Sequence, residues 1–110
     1  MDKDAYKEFN GGVTAENVEQ WKKQHGKVFC IEVEDGDDLH KGYFRRPSID
    51  IMAAVTKLSK TDEVKSGKTL FDGCWLGGSE PLRQDSVLFL TCLQQLNVLL
   101  TSATGRVKNL

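Results

Sequence analysis

The chain has 110 residues, 39% hydrophobic and 28% charged, with a formal net charge of −1. That length supports one domain with a single core. The charge balance shows neither the basic excess of a nucleic-acid binder nor an acidic tail, and no apolar run approaches the roughly 20 residues of a membrane span. The polar opening, residues 1–12, has no hydrophobic leader, so cytoplasmic residence is expected. Cys30, Cys74 and Cys92 are odd in number and far apart, which argues against a disulfide framework or a zinc site and for reduced, mostly buried thiols.

Residues 1–12 read as a mobile segment ending in the breaker Asn10-Gly11-Gly12, and residues 13–105 as one domain. Thr14 caps a first helix, with Val13 and Val18 forming a hydrophobic staple. Lys22, Lys23 and His25 suit its negative end, and Gly26 suits its stop. Only Val18 and Trp21 anchor it, so it is expected on the surface. Phe29, Ile31 and Val33 then alternate with Cys30, Glu32 and Glu34, the period of a strand. The acidic stretch from Glu34 to Asp38 reads as a longer hairpin loop, and Leu39 to Arg45 as the return strand. Ser48 caps a helix whose face carries Ile51, Met52, Val55 and Leu58. Thr61 is expected to cap another, with Val64, Lys68, Phe71 and Trp75 on one side. Gly67 inside that helix marks a close approach to an unknown partner.

Gly77-Gly78 is expected to stop that helix, making Cys74 to Gly78 a packing corner. Residues 79–81 form a polar bridge, and Asp85 or Gln84 opens a last helix that continues to about Thr104. Val87, Leu88, Leu90, Cys92, Leu93, Leu96, Leu99 and Leu100 make it apolar on most of its circumference, so it is either central or shared with a partner. Residues 106–110 are a short basic end, expected to fray. The fold class is α+β: a β-hairpin, with room for a further strand, packed on a bundle of about four helices.

No motif carries catalysis. Gly67-Lys68-Thr69 echoes the end of a phosphate-binding loop, but Asp62 stands where the earlier glycine belongs and the tripeptide sits in a helical pattern. The acidic hairpin lacks the helical flanks and terminal glutamate of a calcium loop. His25 and His40 have no partner at metal-ligand spacing, and no serine sits in a nucleophile elbow. Neither a metal, a cofactor nor an enzymatic role is expected. Arg45 and Arg46 beside Tyr43 and Phe44 could stack on bases, against the overall charge.

The stretch from about residue 27 to 100 resembles small tail-assembly-chaperone-like proteins of tailed phages and prophages. The resemblance rests on the strand Lys27 to Asp35, the Gly42-Tyr43-Phe44-Arg45-Arg46-Pro47 return, the helix from Ser48, the Gly73 to Gly78 corner and the final helix with Gln94-Gln95-Leu96. Residues 1–26 lie outside it. It implies a non-enzymatic role: coating the long helical tape-measure protein before the tail tube polymerises, with a tail-tube protein as the later arrival. Leu93, Leu96, Leu100, Trp75, Tyr43, Arg45 and Arg46 are the expected contact residues, the last helix seating a partner helix. A homo-oligomer is compatible with this role. Two other readings remain open: a structural or connector protein of a virion or mobile element, and a small nucleic-acid-binding protein.

Overall fold

The computed structural model of the protein describes residues 6–110. Strand β1 (Lys7–Phe9), helix α1 (Ala15–His25), strands β2 (Val28–Asp35) and β3 (Asp38–Arg45), helices α2 (Ile49–Ser59) and α3 (Glu63–Cys74), strand β4 (Trp75–Gly78), and helices α4 (Pro81–Gln84) and α5 (Ser86–Leu99) follow in order. The fold is α+β, as the sequence pattern implies, with the four strands in one mixed sheet.

The hairpin β2–β3 is the sheet's spine. Its register runs from Val28↔Arg45 to Asp35↔Asp38 without a break. The connection is only Gly36-Asp37, tighter than the expected loop. Gly36 has φ 59 and no other residue of the turn has positive φ, the pattern of a type II′ turn, whose twist matches the flanking strands. The other flank of β3 is shared end to end. Strand β1 pairs with it in parallel over Asp38 to His40, and β4 pairs antiparallel over Gly42 to Phe44. Two expectations are corrected here. Lys7–Phe9 belong to the sheet instead of a mobile leader, and the part of that expectation concerning residues 1–5 lies outside the described residues. Trp75–Gly78 is a strand, not only a corner: α3 ends at Cys74 and the chain passes directly into the sheet.

Strand alternation sends Ile31, Val33, Gly42 and Phe44 to one face, where α3, α4 and α5 complete the core around Leu70, Phe71, Cys74, Leu82, Leu88, Cys92 and Leu96. Tyr43 points to the other face, where Trp21 of α1 packs on it at 6.1 Å between ring centroids. Helix α2 leans on α3: Ile51 lies over Gly73, and the Ser66 hydroxyl donates to the Val55 carbonyl at 2.8 Å.

Helix starts follow local chemistry. Thr14 and Asn17 form a reciprocal capping box at 3.0 and 3.1 Å, Ser48 accepts from Ile51 N–H, and Asp85 accepts from Val87 and Leu88 N–H. Asp62, not Thr61, caps α3, accepting from Lys65 N–H at 3.0 Å. Its carboxylate is the stronger acceptor at the positive end of a helix. Helix α5 stops at Leu99, five residues before the expected Thr104. Past Leu99 only 3₁₀-type bonds continue, to Thr101 and Ser102, and the sequence Thr-Ser-Ala-Thr-Gly offers β-branched and hydroxyl residues that compete with helix.

Gly78 is the tightest point of the sheet. Its φ is 147, and a Cβ there would stand 2.5 Å from the Lys41 carbonyl oxygen and 2.7 Å from Gly42 Cα. Gly78→Ala is therefore expected to destabilise the protein by about 1–3 kcal/mol from backbone strain alone, with the β3–β4 clash adding to it, as measured by chemical denaturation.

Candidate protein-binding surface

Helix α5 divides its apolar residues between inside and outside. Leu88, Cys92 and Leu96, four residues apart, are buried and form one stripe on the core. Phe89, Leu93 and Leu99 are half-buried on its flanks. Val87, Leu90 and Val98 stand 69%, 57% and 59% exposed, too far round the helix for the sheet to reach.

Two grooves flank this helix. One, about 280 Å³, lies between α5 and α3 and is lined by Glu63, Val64, Gly67, Phe89, Leu90 and Leu93. Its floor explains Gly67: a Cβ there would stand 2.9 Å from Leu93 Cδ2, so Leu93 is the partner that the glycine admits. Val64, 81% exposed, forms the opposite wall. The second groove, about 470 Å³, runs between α5 and the outer edge of β2.

The expected contact residues do not converge. Leu93 borders the first groove. Leu96 is fully buried and is core, not contact surface, because it sits on the same stripe as Leu88 and Cys92. Leu100 lies just past the end of α5 at 38% exposure, beside Arg46 in a shallow cleft. Trp75 is half-buried in an aromatic cluster: it stacks on Phe71 at 5.4 Å and meets Phe44 edge-on at 5.4 Å, with Arg83 over its ring at 5.5 Å. Tyr43 is under α1. Arg45, two residues on, shares that sheet face, and Arg46 donates to the Ser102 hydroxyl at 3.0 Å and lies over Phe29. The two arginines thus point to opposite faces and make no common phosphate clamp. The residues that sequence reasoning missed, Val64 and Leu90, look like ordinary helix positions; only the α3–α5 packing sets them on one groove.

The structure also joins His40 and Ser79, 39 residues apart. His40 Nδ1 and Ser79 Oγ are 2.7 Å from each other, with His40 stacked on Phe9. At 5% and 2% exposure the pair is closed to substrate, and its work is to tie β3 to the turn after β4. The Ser79 N–H reinforces this by donating to the Lys41 carbonyl at 2.9 Å. Among the described residues no three His, Cys, Asp or Glu side chains are grouped to hold a metal ion, and no helix is long and apolar enough to cross a membrane. Burial pushes the Cys74 thiol up to about 11 and that of Cys92 up to about 12.

No protein-family model matches the chain, and no curated relative matches it. In fold it is similar to the solved structure of an uncharacterised protein, rbstp2171, from Bacillus stearothermophilus, at a TM-score of 0.57 and 21% identity over 84% of this chain and 99% of that one. At that identity the likeness concerns the fold alone.

Two outcomes test the placement of these side chains. Leu96→Glu is expected to destabilise the domain by about 4 kcal/mol or more, since it buries an unpaired charge, seen as loss of the cooperative thermal transition. Alkylation of the native protein is expected to label the exposed Cys30 and to spare Cys74 and Cys92 until denaturant is added, because the thiolate is the reactive species. Mass spectrometry of tryptic peptides reads this directly.

Proposed function

We propose that the protein is a non-enzymatic binding module that holds an amphipathic helix of a partner in the groove between α3 and α5, in the manner of a phage tail assembly chaperone on a tape-measure protein. The observation that carries this reading is the α3–α5 groove itself. Val64 and Leu90 stand largely exposed on its two walls, with Phe89 and Leu93 half-buried beneath them. A partner helix laying its i, i+3, i+4 apolar residues along such a groove is a common recognition mode. The groove opens to solvent, which suits a partner that must later be released. The residues of Gly42 to Pro47 and Gly73 to Gly78, on which the resemblance to tail assembly chaperones rests, support the same role.

The test separates the groove from the core. Val64→Glu with Leu90→Glu places two charges on exposed positions, and stability is expected to stay within about 0.5 kcal/mol per site of the wild type. Co-expressed with a tape-measure protein, the wild-type chain is expected to keep that protein soluble and to co-elute with it, and the double variant to do neither. Undiminished co-elution of the double variant would remove the groove from the reading.

A further inference from the structure

Strand β2 is an outer strand of the sheet. Strand β3 takes one of its edges along its full length, and among the described strands none takes the other. Every second residue of such a strand points its N–H and C=O outward, a ready template for another strand. The groove of about 470 Å³ lies along this edge, between residues 30–34 and the α5 side chains Thr91, Gln95, Val98 and Leu99. The edge has two chemically distinct sides. Ile31 and Val33 turn toward the core side, where Val98 and Leu99 stand opposite. Cys30, Glu32 and Glu34 turn to the other side and are exposed. Glu34 accepts from the Tyr6 hydroxyl at 2.9 Å, and Glu32 lies in the field of Lys41. Lys41 is itself ion-paired to Glu8 at 3.4 Å. With Asp35, Asp37 and Asp38 at the hairpin end, the edge is acidic on balance.

The chain carries the complementary strand. Residues 106–110, Arg-Val-Lys-Asn-Leu, adopt no regular structure, and Val107 and Leu110 are fully exposed at 100% and 111%. Extended, the segment puts Arg106, Lys108 and Leu110 on one side and Val107 and Asn109 on the other. Antiparallel to β2, this sets Arg106 beside Glu34, Lys108 beside Glu32, Leu110 beside Cys30, and Val107 over Val33 and the apolar wall of α5. In the parallel sense, the register that keeps all five residues on Cys30 to Glu34 sets Leu110 against Glu34.

In the antiparallel sense a chain has almost no length left to dock its own tail. Helix α5 ends at the Phe29 end of β2, where Arg46 lies over Phe29 and bonds Ser102. From Ser102 to Arg106 the reach is at most roughly 14 Å, about the length of β2 from Cys30 to Glu34, roughly 13 Å. Almost nothing is left for the chain to turn back. Two β2 edges paired antiparallel about Val33 fare no better, since Glu32 would face Glu34 across the ladder. We propose that residues 106–110 of one copy add as a strand to the outer edge of β2 in a second copy, so that the protein self-associates by tail donation. This stands independently of the helix-binding reading. Reciprocal donation closes a dimer and head-to-tail donation closes a ring.

Sedimentation equilibrium on the full chain tests it. The wild type is expected to gain mass with concentration. Arg106→Glu with Lys108→Glu, and separately Glu32→Lys with Glu34→Lys, are each expected to weaken association by about tenfold or more. The variant carrying all four reversals is expected to recover it. A wild type that stays monomeric at every concentration overturns the proposal, as does a fourfold variant that folds, by circular dichroism, yet fails to recover. Should the β2 variant not fold, the tail decides alone. Arg106→Glu with Lys108→Glu, and Val107→Asp, alter exposed residues outside any helix or strand of the monomer, and unchanged association in both would overturn the proposal.

Discussion

The fold depends on one aromatic junction. Phe44 from β3, Phe71 from α3, Trp75 from β4 and Phe89 from α5 meet with centroids 4.8 to 5.4 Å apart. Phe44 and Phe71 are fully buried. Aromatic pairs in edge-to-face or offset geometry contribute about 0.5–1.5 kcal/mol each beyond the area they bury, and here the pairs share members. The junction binds the spine hairpin to the helical half at the point where α3 becomes β4. Because Trp75 is both the cap of the helix and the first residue of the strand, its ring fixes the angle between the two. The small residues around it follow from that: a Cβ at Gly42 would meet Phe44, Leu82 and Trp75 at 2.9 to 3.1 Å.

That junction also limits what α5 can bury. The sheet's core face offers only the width of β2, β3 and β4, and α3 already occupies the Phe71 side. One stripe of α5, Leu88, Cys92 and Leu96, is enough to cover the remainder. A helix apolar on most of its circumference therefore keeps apolar residues outside, and its two flanks become grooves of different character. The α3 flank is walled by side chains on both sides. The β2 flank has a strand edge on one side, so it offers backbone donors and acceptors as well as apolar surface. The first suits a helix and the second an extended segment.

What could be read from the sequence was the local part. Alternation at Phe29 to Glu34 and the side-chain caps Thr14, Ser48 and Asp85 are signals within a few residues, and they hold. Gly67 inside a helix announced a close approach, and Leu93 is its partner. Strand β4 carried no such signal: Trp-Leu-Gly-Gly lacks alternation, and glycine weakens a strand interior. It is a strand because β3 presents an edge and Gly78 lets the backbones approach. Strand β1 has three residues and exists through its pairing with β3. Leu96 and Leu90 could not be told apart on a helix apolar nearly all round, since only the packed sheet decides which stripe turns inward. The His40–Ser79 pair spans 39 residues, a separation that no local pattern reveals.

The charges on β2 acquire a purpose in this light. An eight-residue outer strand with Phe29, Ile31 and Val33 along it is a hazard for indiscriminate pairing. Glutamates at positions 32 and 34 repel a second copy of the same edge and any acidic strand, and they leave the backbone groups free for a strand with cations at the matching spacing of two. Their carboxylates are surface-exposed, so each ion pair formed there contributes little by itself. Selectivity instead comes from what the glutamates refuse, since like charges set opposite one another across a ladder destabilise the pairing. On the proposed tail donation, the acidic edge that disfavours pairing with its own copy would favour a basic segment such as Arg106 to Leu110.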